Sequence, residues 1–377
     1  MQYLIEWGYW GLGFLAIFVF AWGIQLYFLL AYFLKVASAK TQNEPIGKDP
    51  VSIIICARNE EKNLMENIPV IMDQDFKEFE VVVVNDSSWD DTEAILKALH
   101  VRYPNMHIIN LDEEKQNMQG KKFALTLGIK AAKYDTILVT DADCTPDSPH
   151  WIARMTGGIQ DKKQLVLGFS PYSKDTGWLN KIIRFDTLMI GLHYLGMAKA
   201  GSPYMGVGRN MAYRRELFFS VGGFKSHYSL ASGDDDLFVN QVGNKYNTTV
   251  VLHPESQTVS VPKTSWKAWF TQKRRHFSTA PYYKAKDKNL LALWPFSFLM
   301  MFVGFGGALF FKNALFVVGP MLFVRYVVQI AILHGSAKRL ELSKDLAWLA
   351  PFLEIHLHML NAGLYIANLV RKPQKWN

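Results

Sequence analysis

The sequence contains very little cysteine. Its 377 residues include only Cys56 and Cys144, which excludes a disulfide scaffold and a cysteine-rich metal site. No internal repeat or low-complexity segment is present. Half of the residues are hydrophobic, which excludes a disordered chain, and 20% are charged, which excludes a chain embedded wholly in a membrane. The net charge is +8, and the length allows two or three domains.

Charge is absent from a long run near the beginning of the sequence. No charged residue lies between Glu6 and Lys35, and Gln25 is the only strongly polar side chain in residues 8–34. This run exceeds the roughly 20 apolar residues that cross a hydrocarbon core as a helix. Residues 37–39 resemble a signal-peptidase site, but a secretory signal begins with basic residues and has a shorter apolar core. We therefore predict that residues 1–35 form a retained transmembrane anchor.

Further apolar segments lie near the end of the sequence, within residues 289–370. Residues 289–311 carry no charge, and residues 313–337 carry one arginine and one histidine, so both are predicted to span a membrane. Residues 346–370 contain a glutamate and two histidines, and ionisable groups are costly at bilayer depth. This last segment is compatible with a buried span, a re-entrant piece or an interfacial helix. The C-terminal membrane region is therefore predicted to have two or three spans.

Basic residues flank the apolar segments asymmetrically. They follow the first span, precede the second and follow the third: Lys35, Lys40, Lys48, Lys284, Lys286, Lys288, Lys338, Arg339 and Lys344. Because Lys and Arg near span ends face the cytoplasm, we predict a multi-pass protein of the cell membrane whose middle part, residues 50–288, is cytoplasmic. The basic residues of the tail, Arg371, Lys372 and Lys375, conflict with a full crossing by residues 346–370.

The middle part of the chain is long enough to bury a core of its own. Its first half alternates β-branched runs with helix-like segments. The predicted strands are 51–55, 79–84 and 136–140, and the predicted helices are 60–72, 92–101 and 121–132. Such alternation is typical of an α/β domain with a parallel sheet covered on both faces. Ligands of these sheets bind beyond the carboxyl ends of the strands.

Polar side chains follow each of the three predicted strands. Arg58 and Glu60 follow the first strand, Asp86 follows the second, and Asp141 and Asp143 follow the third. One such group alone is typical of a turn with a helix cap, but three groups would converge on one edge of the sheet. Two carboxylates at positions i and i+2 can both reach a hard cation, Mg²⁺ or Mn²⁺, whose shell substrate phosphates and water complete.

These motifs continue along the chain in a fixed order. They are RNEE (58–61), VNDSSWDDT (84–92), QGKKFAL (119–125), TDAD (140–143), GRN (208–210), RR (214–215), GGF (222–224), GDDDL (233–237) and QKRRH (272–276). From residue 51 to about residue 277 the chain resembles the membrane-bound members of glycosyltransferase family 2. The resemblance implies a GT-A fold, which is an α/β, Rossmann-like nucleotide-sugar domain, here flanked by N- and C-terminal transmembrane helices.

The resemblance also implies how a donor would be bound. Arg58, Glu60 and Asp86 match positions that contact the nucleoside of a UDP- or GDP-sugar. Lys121 lies where a cation commonly approaches the donor. The DxD pair would hold the divalent metal, with Asp143 as the expected direct ligand and Asp141 beside it.

Two later motifs match the catalytic acids and a cation cluster. The acidic motif supplies the general base, for which Asp235 is preferred while Asp234 and Asp236 stay open because three acids follow one another. The last motif matches the family's Q-x-x-R-W pattern with three positions, Gln272, Arg274 or Arg275, and His276. One base without a paired nucleophile predicts direct displacement with inversion.

The sequence departs from the family pattern at one position that bears on the acceptor. The tryptophan of the Q-x-x-R-W pattern would stack on an acceptor sugar, and His276 offers a smaller ring in its place. We therefore favour a lipid-linked or short acceptor, in cell-envelope glycan or glycolipid synthesis. The alternative among glycosyltransferases is a processive polysaccharide synthase that exports its product through its own membrane helices.

Three functional classes other than hexosyl transfer share features with this sequence. A phosphatase of the haloacid dehalogenase type has a similar DxDxT segment, in which Asp141 would be the nucleophile, but that segment normally opens its domain. A non-catalytic nucleotide-sugar-binding membrane protein would have lost acids that are present here. Nucleic-acid binding is discounted because the basic residues cluster beside the apolar spans and in residues 272–276.

Overall fold

A computed structural model describes residues 8–41, 44–112, 120–230 and 232–370. Its central sheet has seven strands in the order β3-β2-β1-β4-β7-β6-β8. The strands are β1 Val51–Ala57, β2 Phe79–Asp86, β3 Met106–Leu111, β4 Thr136–Asp141, β6 Leu165–Leu167, β7 Met211–Arg214 and β8 Thr248–Val250. A small second sheet pairs β5 Cys144–Pro146 with β9 Thr258–Ser260.

The first half of the sheet is parallel, as the alternation of strands and helices predicted. Strand β1 pairs in parallel with β2 and β4, and β2 pairs in parallel with β3. The helices that connect these strands are α2 Glu61–Met72, α3 Thr92–Arg102 and α4 Lys121–Ala131. All three agree with the predicted segments to within one residue. The second half is mixed, because β7 runs antiparallel to both β4 and β6.

Alternating side chains of the strands fill two separate cores, one on each face of the sheet. Ile54 of β1 packs in the core that also contains Leu125 of α4, whereas Ile53 and Ile55 pack in the core that contains Leu64 of α2. Successive strand residues point to opposite faces, so the apolar run of β1 supplies both cores. A strand that is buried on both faces reads as a continuous β-branched run, which explains why β1 was recognisable in the sequence.

The remaining helices lie in and beyond the second half of the domain. They are α5 Trp151–Thr156, α6 Trp178–Lys199, α7 Arg215–Ser220, α8 Asp236–Val242, α9 Trp266–Phe277, α10 Ala285–Ala308, α11 Leu315–Arg339 and α12 Asp345–Val370. Short 3₁₀ turns are found at Lys225–His227, Pro254–Ser256 and Ala280–Tyr282.

In the part of the chain that the structure describes, three helices are long and apolar enough to span a membrane: Gly8–Ala37, which we call α1, Ala285–Ala308 and Leu315–Arg339. They correspond to the first three predicted spans. Helix α1 contains a π-helical turn at Leu29–Phe33. A Cβ built on Gly304 of α10 would lie 2.6 Å from the backbone nitrogen of Phe18, so these two helices are in backbone contact where glycine allows it.

A buried polar network joins the apolar helices. The guanidinium of Arg325 on α11 donates to both carboxylate oxygens of Glu354 on α12 over 2.6 and 2.7 Å, and to Gln25 Oε1 of α1 over 2.7 Å. Gln25 in turn donates to the carbonyl of Trp294 on α10 over 2.9 Å. Arg325, Glu354 and Gln25 are at most 1% exposed. Glu354, which made the last segment doubtful as a span, is therefore paired inside the bundle.

Helix α6 connects the sheet domain to the apolar helices. Its Arg184 forms two hydrogen bonds with the carboxylate of Asp345, at the start of α12, over 3.1 and 3.2 Å. Further along α6, a Cβ built on Gly196 would lie 2.5 Å from the carbonyl oxygen of Tyr32 in α1. Helix α6 is thus fixed between the first and the last helix of the described chain.

Candidate active site

The carboxyl ends of β1, β2 and β4 lie side by side. In the sheet register Ala57 pairs with Asn85, and Cys56 pairs with Asp141. Asp86, 2% exposed, and Asp141 therefore flank the end of β1 from its two neighbouring strands. The predicted convergence of the three strand ends is present, and a cavity of about 2130 Å³ opens there.

The loops after β1 and β2 support each other. Asn59 and Ser87 have left-handed backbone conformations, with φ of 58° and 55°. Asn59 Oδ1 accepts the backbone N–H of Trp89 over 3.0 Å, and the Asn59 N–H donates to Ser88 Oγ over 2.9 Å. These bonds hold the guanidinium of Arg58 over the Trp89 ring, 5.2 Å from its centroid.

Arg58 and Glu60 both line the cavity. The Nε of Arg58 is buried and has no hydrogen-bond partner among the described residues, which leaves a donor for a ligand. Burial raises the pKa of Glu60, and the nearby carboxylates of Asp141 and Asp143 raise it further. The two residues after β1 thus lie beside the acids that follow β4.

Asp141 and Asp143 form the predicted acidic pair. Together with Cys144 they offer three ligand atoms within 4.8 Å of one another. Burial, and then the neighbouring Asp143 and Asp141, raise the pKa of the Cys144 thiol well above its usual value, so the thiol stays protonated. Protonated thiols are poor ligands, whereas two carboxylates suit Mg²⁺ or Mn²⁺. The donor set therefore fits a hard cation held by oxygen atoms.

Lys121 bridges the DxD acids and the later acidic motif. It is the first residue of α4, after Gly120, whose φ of 95° lets the chain turn sharply into the helix. Lys121 Nζ lies 2.7 Å from Asp141 Oδ1 and 3.0 Å from Asp234 Oδ2. Burial opposes the charge of this ammonium, but Asp141 and Asp234 outweigh it and raise the pKa of Lys121.

The three consecutive acids have three different environments. Burial opposes ionisation of Asp234, yet its ion pair with Lys121 lowers the pKa. Asp236 accepts hydrogen bonds from Tyr283 OH over 2.8 Å and from Thr279 Oγ1, which joins α8 to the segment before α10. Asp235 accepts only backbone N–H groups among the described residues and lines the cavity.

Asp235 has the protonation behaviour of a base that works near neutrality. Burial and the negative charges of Asp234 and Asp236 raise its pKa to about 7, while Lys121 opposes the shift. A catalytic carboxylate is most effective when its pKa lies near the working pH. Of the three adjacent acids, Asp234 has a lowered pKa and Asp235 a pKa near neutrality. The assignment of Asp235 as the base stays a prediction.

Helix α9 carries the last motif, and two of its cations bond to residues of other helices. Lys273 is buried in an ion pair with Asp186 of α6, with 2.7 Å between Nζ and Oδ2. Arg274 Nε donates to Asn368 Oδ1 of α12 over 2.8 Å. The cavity wall includes Gln272, Lys273, Arg274, Arg275 and His276. The choice between Arg274 and Arg275 as the cation of the last motif therefore stays open.

Comparisons with known proteins identify related sequences. Residues 52–221 match the sequence model of glycosyl transferase family 2. We call this matched region the family 2 domain. The probable glycosyltransferase YdaM of Bacillus subtilis (strain 168) is 26% identical over 286 residues, covering 71% of this chain and 66% of that protein. Ceramide glucosyltransferase 3 of Caenorhabditis elegans is 22% identical over 249 residues, covering 64% and 54%.

The fold has a counterpart among solved structures. The mannosyltransferase PcManGT from Pyrobaculum calidifontis, in complex with GDP-Man and Mn²⁺, superposes with a TM-score of 0.58 at 19% identity, covering 88% of this chain and 98% of that one. The family 2 domain therefore has the predicted GT-A fold. The chain spans less than two thirds of the length of the curated relatives named above.

Two lysines in the family 2 domain illustrate what sequence reasoning missed. Lys121 was predicted, but its neighbour Lys122 was not. Lys122 Nζ donates to the carbonyls of His227 and Leu230, both over 2.8 Å, and to that of Ser232 over 2.6 Å. It thus holds the segment that leads into the acidic motif. The only sequence signal was its place in the QGKKFAL segment, which does not distinguish the two lysines.

Arg209 and Tyr172 of the family 2 domain were also missed as site residues. Both line the cavity, with the Arg209 guanidinium 4.6 Å from the centroid of the Tyr172 ring. Tyr172 OH accepts a hydrogen bond from Gln272 Nε2 over 3.2 Å. Arg209 belonged to a recognised motif without an assigned role, and nothing in the sequence singled out Tyr172.

The cavity continues from the family 2 domain along the apolar helices. Its lining includes residues of α10 from Lys288 to Phe302, a rise of about 21 Å along the helix axis. Residues of α12 from Glu354 to Tyr365 form another part of the wall. The part of the wall formed by α10 and α12 includes many apolar side chains, among them Phe298, Leu299, Phe302, Ile355, Leu357 and Met359.

Proposed function

We propose that this protein is a metal-dependent, inverting glycosyltransferase that moves a hexosyl group from a UDP- or GDP-sugar to a membrane-associated acceptor. The observation that supports it most is the meeting of Asp141, Asp143 and Asp235 at one cavity, with Lys121 between the two acidic motifs. A pair of metal-binding acids beside a separate base is what direct displacement from a sugar diphosphate requires.

The donor would bind at the carboxyl end of the sheet. Arg58, Glu60 and Asp86 are proposed to contact the nucleoside, and the stacked Arg58–Trp89 pair would form one wall of that site. Asp143, with Asp141, would hold Mg²⁺ or Mn²⁺. When bound, the ion would supply Lewis-acid stabilisation to the diphosphate.

One residue, Asp235, is proposed to take up the proton that the acceptor loses during the transfer. The acceptor oxygen attacks the anomeric carbon of the donor sugar, the bond from that carbon to the diphosphate oxygen breaks, and the acceptor proton passes to Asp235. The nucleoside diphosphate leaves with the bonding electrons. Cationic side chains near the phosphates stabilise this departing charge, and Lys121 and either Arg274 or Arg275 are proposed for that role.

The acceptor is proposed to be lipid-linked. The cavity extends from Asp235 along α10, a helix that is long and apolar enough to span a membrane. Its wall along α10 and α12 is mainly apolar and aromatic, which suits a hydrocarbon chain better than a hydrated polysaccharide. His276, in place of a stacking tryptophan, is consistent with an acceptor that is not a long sugar polymer. The catalytic domain is proposed to be cytoplasmic, as the basic flanks predicted.

The test of the whole proposal is a transfer assay. Purified full-length protein is incubated with Mn²⁺, radiolabelled UDP- or GDP-sugars and a lipid extract, and an Asp235→Asn variant serves as the inactive control. We expect label in the organic phase from the wild type alone. Label in high-molecular-weight polymer would favour the processive alternative, and a trapped phospho-aspartate without sugar transfer would favour the phosphatase.

The acceptor part of the proposal has its own test. Leu299 lies on the cavity wall, whereas Leu293 lies on the same helix but outside this cavity. Leu299→Trp should block transfer to a long-chain acceptor while transfer to a short-chain soluble analogue continues. Leu293→Trp is the matched control and should leave both reactions unchanged. Equal loss in both reactions, or in both variants, would contradict a chain-binding cavity.

A further inference from the structure

The backbone around Arg209 is fixed on both sides. The carbonyl oxygen of Arg209 accepts hydrogen bonds from Thr140 Oγ1 and from Thr258 Oγ1, each over 2.9 Å. The next residue, Asn210, is fully buried and donates from Nδ2 to the carbonyls of Phe169 and Ser256, both over 2.8 Å. The position from which the Arg209 side chain enters the cavity is therefore rigid.

The guanidinium of Arg209 packs against an aromatic ring, and no carboxylate of the described residues is bonded to it. It lies over Tyr172, and the ring is itself oriented by the hydrogen bond from Gln272. One terminal nitrogen, Nη1, is buried and has no hydrogen-bond partner among the described residues. Buried donors in folded proteins are almost always paired, so an unpaired guanidinium nitrogen at a cavity wall indicates a missing ligand.

Arg209 lies between the two acidic motifs. The preceding residue, Gly208, donates its backbone N–H to Asp235 Oδ2 over 2.8 Å. Burial alone would lower the pKa of Arg209, but Tyr172, Cys144, Asp141 and Asp143 outweigh it and raise the pKa. The guanidinium is therefore near the metal-binding acids and one residue from the contact with the base.

Two other cations of the cavity wall are already engaged by carboxylates. Lys121 is paired with Asp141 and Asp234, and Lys273 is paired with Asp186. Arg209 thus combines a full charge, a fixed position and a vacant donor at the point where the reacting bond would lie. An arginine presents a planar pair of N–H groups that matches two phosphate oxygens.

We propose that Arg209 binds the sugar-bearing phosphate of the donor and holds the diphosphate as it leaves. The inference rests on the proposed function, because it assumes a nucleoside diphosphate donor. In this arrangement Lys121 connects the two acidic motifs, and Arg209 contacts the phosphate adjacent to the breaking bond. Tyr172 and Gln272 act as positioning residues, since they orient the guanidinium.

The experiment compares nucleoside diphosphates with monophosphates. The affinities of UDP, UMP, GDP and GMP are measured by calorimetry on the detergent-purified full chain, with Mn²⁺ and with EDTA. We expect Arg209→Gln to weaken diphosphate binding by about 10- to 100-fold, the range for one charged hydrogen-bonded contact, and to leave monophosphate binding unchanged. The loss should persist in EDTA, because the contact does not pass through the metal.

Two further variants keep the result interpretable. Arg209→Lys preserves the charge but not the planar pair of donors, so it should show an intermediate loss even if Arg209→Gln folds poorly. Arg154→Gln is the matched control, since Arg154 is paired with Glu255 and does not line the cavity. This control should bind all four nucleotides as the wild type does.

The outcomes separate this inference from the proposed function. If the wild type prefers diphosphates and Arg209→Gln keeps that preference, the inference is wrong while the donor class stands. A deficit that disappears in EDTA would show that Arg209 only shapes the metal site, which also overturns the inference. If the wild type binds no nucleotide in any condition, the proposed function itself fails.

Discussion

Asp235 Oδ1 accepts the backbone N–H of Asp236 over 2.7 Å, so the residue assigned as the base is also the N-cap of α8. Asparagine caps a helix about as well as aspartate does, and it therefore removes the base without removing the cap. We expect Asp235→Asn to keep the cap but to lose the acceptor of the Gly208 N–H, which costs about 1–3 kcal/mol of stability. The folded variant should bind nucleotide with unchanged affinity and transfer sugar about 10²- to 10⁴-fold more slowly. Near-wild-type turnover would show that Asp235 is not the base.

The pKa of Asp235 predicts how the rate depends on pH. A general base must be deprotonated, and burial with two neighbouring acids raises this pKa to about 7. The value of kcat/KM should therefore fall as the pH drops through about 7, by about tenfold per pH unit at the acidic end. The residual activity of Asp235→Asn should lack this acidic limb. A wild-type profile that stays flat from neutral pH to pH 5 would be incompatible with the assignment.

Metal binding is predicted to depend on oxygen ligands only. Asp143→Ala should weaken Mn²⁺-dependent donor binding by more than the roughly 10- to 100-fold that loss of an outer-sphere partner causes. Cys144→Ala is the matched control, because the protonated thiol is not a ligand, and it should keep the Mn²⁺ dependence. Nucleotide titrations with and without EDTA measure both effects. Loss of the metal response in Cys144→Ala would instead indicate thiolate ligation.

We predict that the hydrogen bonds of the Asp236 carboxylate stabilise the folded protein and are not needed for catalysis. Its carboxylate accepts from Tyr283 OH, so Tyr283→Phe leaves a buried acceptor with one partner fewer. The free energy of unfolding should fall by about 1–3 kcal/mol, and turnover per folded molecule should remain close to that of the wild type. Thermal unfolding in detergent and a transfer assay measure the two quantities. Lost turnover at unchanged stability would reopen Asp236 as a candidate base.

Breaking the Arg325–Glu354 ion pair should reduce stability strongly when one residue is replaced and only weakly when both are replaced. Glu354→Leu leaves the Arg325 guanidinium buried without its partner, which costs about 3–5 kcal/mol in comparable pairs. Replacing both residues, with Arg325→Met and Glu354→Leu, removes the stranded charge and should recover most of the stability. Unfolding in the same detergent compares the variants. An unaffected single variant would mean that water reaches this network.

The elements that could be predicted from the sequence are those with a clear pattern in consecutive residues. Strand β1 is buried on both faces, so its β-branched run was visible, and α2 to α4 began and ended near the predicted residues. Strand β3 was missed because His107 and Asn110 interrupt its apolar pattern. Strands β6 and β8 have three residues each, too few to show a period, so the antiparallel half of the sheet was not predicted.

The site was predictable as a set of residue types but not as a set of contacts. Adjacent positions on a helix point about 100° apart, so the sequence could not say which of Arg274 and Arg275 bonds to α12. The hydrogen bond from Arg274 to Asn368 joins residues 94 apart in the chain, and no local pattern encodes such a contact. The same holds for Tyr283, whose bond to Asp236 distinguishes one acid of the three from its neighbours.

The hydrogen bond between Gln25 and Arg325 has a consequence for biosynthesis. These residues are 300 positions apart, and Glu354, the counter-ion, is translated later still. During synthesis, the Gln25 side chain therefore precedes its partners by 269 residues or more. Arg325 in turn precedes its counter-ion by 29 residues. A chain that stopped between Arg325 and Glu354 would leave the guanidinium without its carboxylate, so the bundle of apolar helices is complete only when α12 has been made.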